Sequence, residues 1–228
     1  MLITVCHLRS SGFLGGPEKQ LLGFAHELQN RGIRSFIAAW NLPSGAPDLL
    51  LKAASCGMPC AALPLRSPED PRIFTDVARL LRRTQPSILA VHDYKAIIAG
   101  FPAARLLRIP LVAHARGWTF HTRRVQIYEA LERALMRYAD HIVTVSEAMR
   151  RELVSTGIDP NRVTAVHNSI IPPANPPSPL LRAAARKRLG LSENALVVGS
   201  VGRLSPEKGH RYLLEAAAKL NGSVPNFV

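Results

Sequence analysis

The sequence has few cysteines and no long apolar stretch. Its three cysteines cannot all pair with one another, and none has the CxxC spacing of a redox or zinc motif. We therefore expect reduced thiols, as in a reducing compartment. No apolar run reaches the roughly 18 residues that indicate a membrane span. No basic region precedes the first apolar run, as it would in a signal peptide. These absences predict a cytoplasmic protein.

Acidic residues are also scarce. The chain has 16 Asp and Glu residues against 29 Lys and Arg residues, a formal net charge of +13. Such a surface attracts polyanions, although a basic bias spread over solvated helix faces would give the same total. The sequence carries no RNP, zinc-finger or helix-turn-helix pattern, so nucleic acid is not an expected partner. No cluster of metal-ligating residues is visible, and neither a metal nor a cofactor is expected.

Short β-rich runs alternate with helical segments through most of the chain. The predicted strands span residues 2–8, 33–40, 59–65, 87–93, 109–116, 141–147 and 162–168. The predicted helices between them span residues 17–32, 47–57, 70–84 and 123–138, and the remaining connections read as helix or turn. This alternation indicates a parallel sheet covered on both faces. Residues 1–170 are thus predicted to form one doubly wound, Rossmann-like α/β domain.

The last quarter of the chain has a different pattern. Residues 171–179, "IPPANPPSP", contain five prolines and predict a stiff linker. A helix is predicted over 180–191, a strand with its turn over 195–204, and a second helix over 206–220. Residues 180–228 therefore predict the opening βα elements of a second Rossmann-like domain.

Two sequence motifs surround predicted helix starts. The glycine-rich loop "SSGFLGGPEKQ" (10–20) follows the first strand and would let backbone approach a ligand closely, or would simply form a turn. In "GRLSPEKG" (202–209), Ser205 suits an N-cap and Pro206 the first helical residue. Arg203 and Lys208 beside that helix start predict a phosphate or diphosphate site. The alternative is an ordinary capped helix with two solvated cations.

Two predicted strand ends carry polar side chains, at the edge where open α/β sheets bind ligands. "HARGWTFHTRR" (114–124) concentrates His114, Arg116, His121, Arg123 and Arg124, and three cations with two histidines at a strand end favour an anion site. His114 and Arg116 would share one face of a strand. The alternative is a core histidine beside a surface arginine. "VHDYKA" (91–96) contains His92 and Asp93, which could bind hydroxyl groups, or Asp93 could cap the next helix.

Taken in order, the motifs "GGPEKQLL", "VHDYKA", "RGWT", "RYADHIVTVSEAMRREL", "RVTAVHNSI" and "VGSVGRLSPEKG" resemble retaining glycosyltransferases of family 4, which have the GT-B fold. The resemblance implies that Arg203 and Lys208 neutralise the donor diphosphate. It implies that Gly15 and Gly16 face the same diphosphate. It further implies an acceptor side formed by His92, Asp93 and Lys95, and an interdomain hinge at Asn168 and Ser169.

The chain departs from the pattern of that family in two places. Arg116 stands where a histidine is frequent, and His114 lies two residues earlier, so the catalytic group that meets the sugar is left open between them. The family's pair of sugar-binding carboxylates would lie beyond residue 228. We therefore expect a chain truncated within the donor-binding domain and inactive by itself.

The resemblance implies transfer of a hexosyl unit, with retention, from a nucleotide-diphosphate sugar to a glycan or lipid-linked acceptor in cell-surface polysaccharide or glycolipid synthesis. The alternatives are a non-catalytic module that binds the acceptor or a membrane, and a GT-B epimerase. An anionic membrane is a candidate partner, because helix 123–138 carries several arginines. Its apolar residues are expected to pack on the sheet and its arginines to lie near the acceptor cleft; the apolar residues are Ile127, Tyr128, Leu131, Leu135 and Tyr138.

Overall fold

Seven parallel strands form the centre of the first of two compact units, which span Met1–Ile170 and Ile171–Val228. The structure, a computed structural model, describes residues 2–11, 13–118, 122–169 and 178–220. The sheet has the order β3-β2-β1-β4-β5-β6-β7. The strands are β1 (Thr4–Arg9), β2 (Arg34–Trp40), β3 (Cys60–Leu63), β4 (Ile88–Val91), β5 (Leu111–Ala115), β6 (His141–Thr144) and β7 (Val163–Ala165).

Six helices pack against the two faces of this sheet. Alternate residues of β2 enter two different apolar cores, Ala38 and Trp40 one core and Ile37 and Ala39 the other, because successive side chains of a strand point to opposite faces. The doubly wound, Rossmann-like sheet predicted from the sequence is thereby confirmed. The helices are α1 (Gly16–Asn30), α2 (Asp48–Ser55), α3 (Arg72–Thr84), α4 (Tyr94–Leu107), α5 (Arg123–Met136) and α6 (Glu147–Ser155).

The order of strands reverses between β1 and β4, which are neighbours although they are not consecutive in the chain. Adjacent loops leave such a reversal point in opposite directions and open a crevice at the carboxyl ends of the strands. The fold therefore places the ends of β1 and β4 at the position where doubly wound sheets bind ligands.

Several strands are shorter than predicted at this edge. β4 ends at Val91 and β6 at Thr144, because the next residues turn into helix caps. Asp93 Oδ1 accepts a hydrogen bond from Ala96 N at 2.9 Å, and Ser146 Oγ accepts one from Met149 N at 3.2 Å. The apolar pattern continues past each strand into the turn, so it overestimates strand length.

Helix α5 does not present the predicted face to the sheet, and that prediction was wrong. Ile127, Leu131 and Tyr138 are exposed, by 67%, 42% and 61%. Glu129 and Glu132 are buried instead. Trp118 Nε1 donates a hydrogen bond to Glu132 Oε2 at 3.1 Å, and this bond helps offset the cost of burying an acidic group. Ile127 and Leu131 thus form an exposed apolar stripe on α5, and Tyr138 continues it just beyond the end of the helix, whereas Met136 is buried and Leu135 packs against the core.

The second unit consists of α7 (Pro179–Arg188), a 3-10 turn (Pro206–Lys208) and α8 (His210–Leu220). The helix predicted over 206–220 is divided because Gly209 adopts a φ of +66°. The strand predicted over 195–204 is not formed, since a strand needs a paired neighbour and the described part of this unit offers none. The predicted linker falls largely on residues 171–177, which lie outside the described residues.

Within the described residues, no helix combines the length and the apolar character needed to cross a membrane.

Candidate functional site

Three histidines meet at the reversal point of the sheet. His7 belongs to β1, His92 follows β4 and His114 belongs to β5, and these three strands are neighbours. His7 Nδ1 lies 3.2 Å from His92 Nε2. The rings of His92 and His114 stack with their centroids 4.2 Å apart. Non-consecutive strand order therefore assembles a histidine cluster from residues 7, 92 and 114.

Burial keeps the histidine cluster uncharged. Burial, together with the smaller effect of the nearby Arg116 guanidinium, lowers the pKa of His7 to about 4 and that of His114 to about 3. Burial also lowers the pKa of His92 well below its ordinary value, with the neighbouring cationic and imidazole groups adding to the effect. At neutral pH the three imidazoles are therefore neutral. His7 and His92 are buried, and the partly exposed His114 is the member that can donate or accept a hydrogen bond at the surface of the cluster.

The glycine loop is held in place beside this cluster. Arg9 Nε donates to Glu18 Oε1 at 2.8 Å, and Arg9 Nη1 donates to the carbonyl oxygen of His92 at 2.6 Å. Glu18 Oε2 in turn accepts a hydrogen bond from Gly15 N at 2.9 Å. Burial alone would raise the pKa of Glu18, but the ion pair with Arg9 outweighs it and holds that pKa below its ordinary value. Arg9 thus joins the ends of β1 and β4 to the start of α1.

The two glycines have different surroundings. A Cβ atom at Gly15 would lie 2.6 Å from the ring of Phe13, whereas one at Gly16 would meet nothing within 4 Å. Gly16 is the first residue of α1, and backbone N–H groups at a helix start are a favourable environment for an anion. The open side of the loop is therefore at Gly16.

The acceptor-side residues suggested by the resemblance separate in the structure. His92 lies in the histidine cluster, but Asp93 caps α4 and also accepts a hydrogen bond from Ser10 N at 2.6 Å. Lys95 is buried; its Nζ donates to the carbonyl oxygen of Arg66 at 2.6 Å and lies 4.5 Å from the centroid of the Trp40 ring. The contacts of Asp93 and Lys95 stabilise the fold around the start of α4.

A pocket of about 190 Å³ lies at the carboxyl ends of β5 and β6. In the wall of this pocket Arg116 Nη1 donates to Gln20 Oε1 at 3.0 Å, while the part of the chain that the structure describes offers no hydrogen-bond partner to the buried Arg116 Nε. The structure thus brings His114 and Arg116 together with the predicted hinge residues. The pocket is lined by Gln20, Phe24, His114, Arg116, Val143, Val145, Val166, His167, Asn168 and Ser169.

Arg203 and Lys208 belong to the second unit, where both are exposed. His210 Nε2 lies 3.0 Å from the carbonyl oxygen of Arg203, and Lys208 N donates to the carbonyl oxygen of Ser205 at 3.0 Å. Ser205 makes no side-chain capping bond, so the predicted cap is not formed in that way. The two cations flank a short 3-10 turn rather than the start of the long helix.

Sequence reasoning overlooked four residues of this edge: His7, Arg9, Glu18 and Gln20. The signal for two of them was present, because His7 and Arg9 alternate at the end of the apolar first strand and so share one face. Glu18 and Gln20 gave no such signal, since polar residues in the first turns of a helix are ordinary.

A doubly wound sheet with a glycine loop and basic groups at its reversal point defines a Rossmann-like domain of the GT-B type. The structure superposes on the crystal structure of Anabaena Alr3699/HepE, solved in complex with UDP and glucose, with a TM-score of 0.78, 21% sequence identity, and coverage of 99% of this chain and 60% of that one. At this identity the similarity establishes the fold. Residues 15–169 match the glycosyl transferase 4-like domain, and the chain belongs to that family. The resemblance found in the sequence is thereby confirmed.

Curated relatives include two bacterial transferases. The 2-deoxystreptamine glucosyltransferase of Streptomyces kanamyceticus is 29% identical over 64% of this chain and 42% of its own length. The UDP-Gal:alpha-D-GlcNAc-diphosphoundecaprenol alpha-1,3-galactosyltransferase of Escherichia coli is 26% identical over 70% of this chain and 43% of its own length. The matched region therefore spans less than half of these relatives.

Proposed function

We propose that this chain is part of a retaining glycosyltransferase that moves a hexosyl unit from a nucleotide-diphosphate sugar to a glycan or lipid-linked acceptor in cell-surface polysaccharide or glycolipid synthesis. One observation carries the proposal: the glycine loop, the neutral histidine cluster and Arg116 converge at the reversal point of a sheet in the glycosyl transferase 4-like family. The names of the relatives, a glucosyltransferase and a galactosyltransferase that uses a UDP-linked sugar, support the same chemistry.

The site residues divide between the two substrates. The bond from the anomeric carbon to the diphosphate breaks, a bond to the acceptor oxygen forms, and the acceptor hydroxyl loses its proton. Arg203 and Lys208 stabilise the charge that develops on the leaving diphosphate. The glycine loop at Gly15 and Gly16 faces the donor diphosphate, with the Gly15 amide held by Glu18 and the backbone at Gly16 left open to approach. His92 binds the acceptor side, with Asp93 and Lys95 positioning it through the start of α4, while Asn168 and Ser169 begin the hinge.

Transfer assays with UDP-sugars and sugar or lipid-linked acceptors test this proposal. They are run on the chain itself and on the product of any longer reading frame that contains it. Arg203→Ala and Lys208→Ala should each lower the rate of an active protein about 10²–10³-fold, and the double variant should lose less than the product of the two. Arg188→Ala, an exposed arginine of α7, is the matched control. Rates within a few-fold of wild type for both variants contradict the assigned roles.

We expect negligible turnover from the 228-residue chain alone. Ala195 is the one buried hydrophobic residue in the described part of the second unit, so that unit has little core with which to hold a donor. If no UDP-sugar is turned over by any form of the protein while an acceptor still binds, the non-catalytic acceptor-binding module is the better description.

An anionic membrane is the second proposed partner, and the exposed stripe of α5 favours it. Ile127 and Leu131 lie one turn apart on α5 and are exposed, as is Tyr138 just beyond its end, and arginines lie near both ends of the helix. Near the end of α5 a pocket of about 510 Å³ is lined by Arg105, Arg137 and Arg162 together with aromatic residues. An apolar stripe flanked by cations is the pattern of helices that lie in a membrane interface.

Because α5 follows β5, it starts at the carboxyl edge of the sheet and ends at the opposite edge. Its arginines are therefore distributed along the helix rather than gathered at the acceptor cleft, as the sequence had suggested. The proposed membrane contact then lies along the side of the domain. The sheet edge that carries the histidine cluster is left free for substrates.

Vesicle co-sedimentation tests the membrane contact. Vesicles containing phosphatidylglycerol should bind the protein at low salt and release it at high salt, while phosphatidylcholine vesicles should bind little. The double substitution Ile127→Ser and Leu131→Ser should reduce binding several-fold. Leu51→Ser, on the exposed side of α2, is the control. Equal binding to both vesicle types, or binding unaffected by the α5 substitutions, contradicts this contact.

A further inference from the structure

The pocket at the ends of β5 and β6 contains a cation with no acidic residue beside it. None of the described residues that line this pocket is Asp or Glu. The Arg116 guanidinium donates to the neutral carboxamide of Gln20 at 3.0 Å, and its buried Nε has no hydrogen-bond partner among the described residues. Leaving a buried donor unpaired costs about 1–3 kcal/mol, and more for a charged group. A cation held in this way favours an anionic ligand.

The nearest charged groups do not compensate Arg116. The carboxylate of Glu18 already pairs with Arg9 at 2.7 Å. Burial lowers the pKa of Arg116, the positive charge of Arg9 lowers it further, and the attraction of Glu18 only partly opposes these effects. Glu18 therefore does not neutralise Arg116, and the electrostatic potential around this guanidinium stays positive.

The dimensions and walls of the pocket restrict what can bind. A volume of about 190 Å³ is smaller than the roughly 300 Å³ at which pockets for drug-sized ligands begin. The pocket therefore suits one monosaccharide unit and not a whole nucleotide sugar. Apolar walls from Val143, Val145 and Val166 face polar groups at Asn168 and Ser169. Gly15 and Gly16 are absent from its described lining, so this pocket is separate from the glycine loop.

We propose that this pocket selects a sugar that carries an oxyanion, either a carboxylate or a phosphate substituent, with Arg116 as the specificity-determining residue. The inference rests on the proposed function, and it names the substrate class of the same site. A guanidinium offers parallel N–H donors that match the two oxygens of a carboxylate or phosphate.

Nuclear magnetic resonance of the 228-residue chain tests this proposal without requiring turnover. The Nε–Hε signal of Arg116, assigned by its loss in Arg116→Lys, is followed during titration with D-glucuronate, glucose 6-phosphate, D-glucose and UDP. We expect glucuronate or glucose 6-phosphate to shift the signal, and D-glucose and UDP at the same concentrations to leave it in place. A response to glucuronate identifies a sugar carboxylate, and a response to glucose 6-phosphate identifies a sugar phosphate.

Variants then connect the binding to Arg116. Saturation-transfer signals from the anionic sugar should fall at least tenfold in Arg116→Gln and persist in Arg83→Gln, which removes an exposed arginine at the end of α3. If Arg116→Gln does not fold, Gln20→Glu serves instead, because it places a carboxylate beside Arg116 that competes with the ligand. Equal shifts with D-glucose, shifts with UDP, or no shift with either anionic sugar overturn the proposal. Such results leave the transferase assays unaffected, so the two proposals fail separately.

Discussion

At the scale of single residues, the site depends on groups whose charge is set by burial. The histidine cluster is compatible with the core only while its imidazoles are neutral, since a buried cation would need a partner that Arg9 and Arg116 cannot supply. The cations Arg9 and Arg116 are thereby placed beside uncharged rings. This arrangement attracts anions, and it makes the fold sensitive to acid.

His7→Gln should make the stability of the protein less dependent on pH. The pKa of His7 is about 4 in the folded protein against 6.5 for an ordinary histidine, so between these values the unfolded chain binds a proton that the folded chain does not. Stability is therefore retained above pH 6.5 and lost as the pH falls toward 4. Wild type should lose on the order of 2 kcal/mol more than the variant over this range.

Urea unfolding at a series of pH values measures the effect of His7→Gln. His26→Gln, an exposed histidine of α1, is the control and should follow the wild-type profile. Parallel profiles for His7→Gln and wild type would show that His7 is not held neutral by the fold.

At the scale of secondary-structure elements, α1 and α5 decide how the site is presented. Helix α1 begins at the glycine loop, and its Glu18 fastens that loop to Arg9. Helix α5 turns two glutamates inward and an apolar stripe outward. Neither feature follows from the amphipathic pattern of the helix alone, because each depends on partners supplied by other elements.

Gly16→Ala should separate the stability of α1 from its role in binding. The open space around Gly16 leaves room for a methyl group, so stability should stay the same or rise by less than about 1 kcal/mol. The affinity for UDP should nevertheless fall several-fold, because the methyl group would stand between the backbone and the diphosphate. Gly23→Ala has equally open surroundings within the same helix and should leave UDP affinity unchanged. Calorimetric titration with UDP measures the affinity of each variant. If Gly16→Ala and Gly23→Ala bind UDP equally well, Gly16 is not part of the donor site.

Glu132→Gln should alter the pH dependence of stability in the direction opposite to His7→Gln. Burial raises the pKa of Glu132 to about 8, and the negative charge of Asp93 contributes. The folded protein therefore keeps a proton that the unfolded chain loses, so this contribution is complete below pH 4.5 and is lost as the pH rises to 8. The variant stays neutral, and its side-chain oxygen can still accept from Trp118.

We expect Glu132→Gln to be more stable than wild type at pH 8 and to show a smaller loss between pH 4.5 and 8. Thermal unfolding across this range provides the measurement, with the exposed Glu152→Gln of α6 as the control. A variant that loses stability equally at all pH values would assign Glu132 a purely structural hydrogen bond.

At the scale of the whole molecule, the two units differ in how much core they contain. The first unit has two apolar cores, one on each face of the sheet. The described part of the second unit has a single buried hydrophobic residue, Ala195. Since helices of ten or eleven residues are marginal without tertiary packing, α7 and α8 gain little stability from their surroundings.

Amide hydrogen exchange of the chain should therefore differ sharply between the units. Amides of β1, β4 and β5 should exchange slowly, near the rate set by global unfolding, whereas amides of α7 and α8 should exchange orders of magnitude faster. Mass spectrometry of peptides from each element provides the measurement. Protection of α8 comparable with that of β1 would contradict the low stability inferred for the second unit.

The amino-acid sequence by itself determined the alternation of strands and helices, and with it the parallel sheet, the ligand-binding edge and the family. It could do so because local periodicity records which faces are buried and because the motifs keep their order along the chain. It also identified His92, His114 and Arg116 at strand ends, since the carboxyl ends of parallel strands share one edge.

Only the tertiary structure decided which of these residues meet. His92 stacks on His114 and lies 3.2 Å from His7 because β1, β4 and β5 are neighbours. His7 and His92 are 85 positions apart in the chain, and no local pattern encodes their contact. Long-range partners likewise turned Lys95 toward Arg66 and Trp40, and they turned the glutamates of α5 inward. Periodicity fixes the spacing of side chains on a helix, but the face that becomes buried depends on what packs against it.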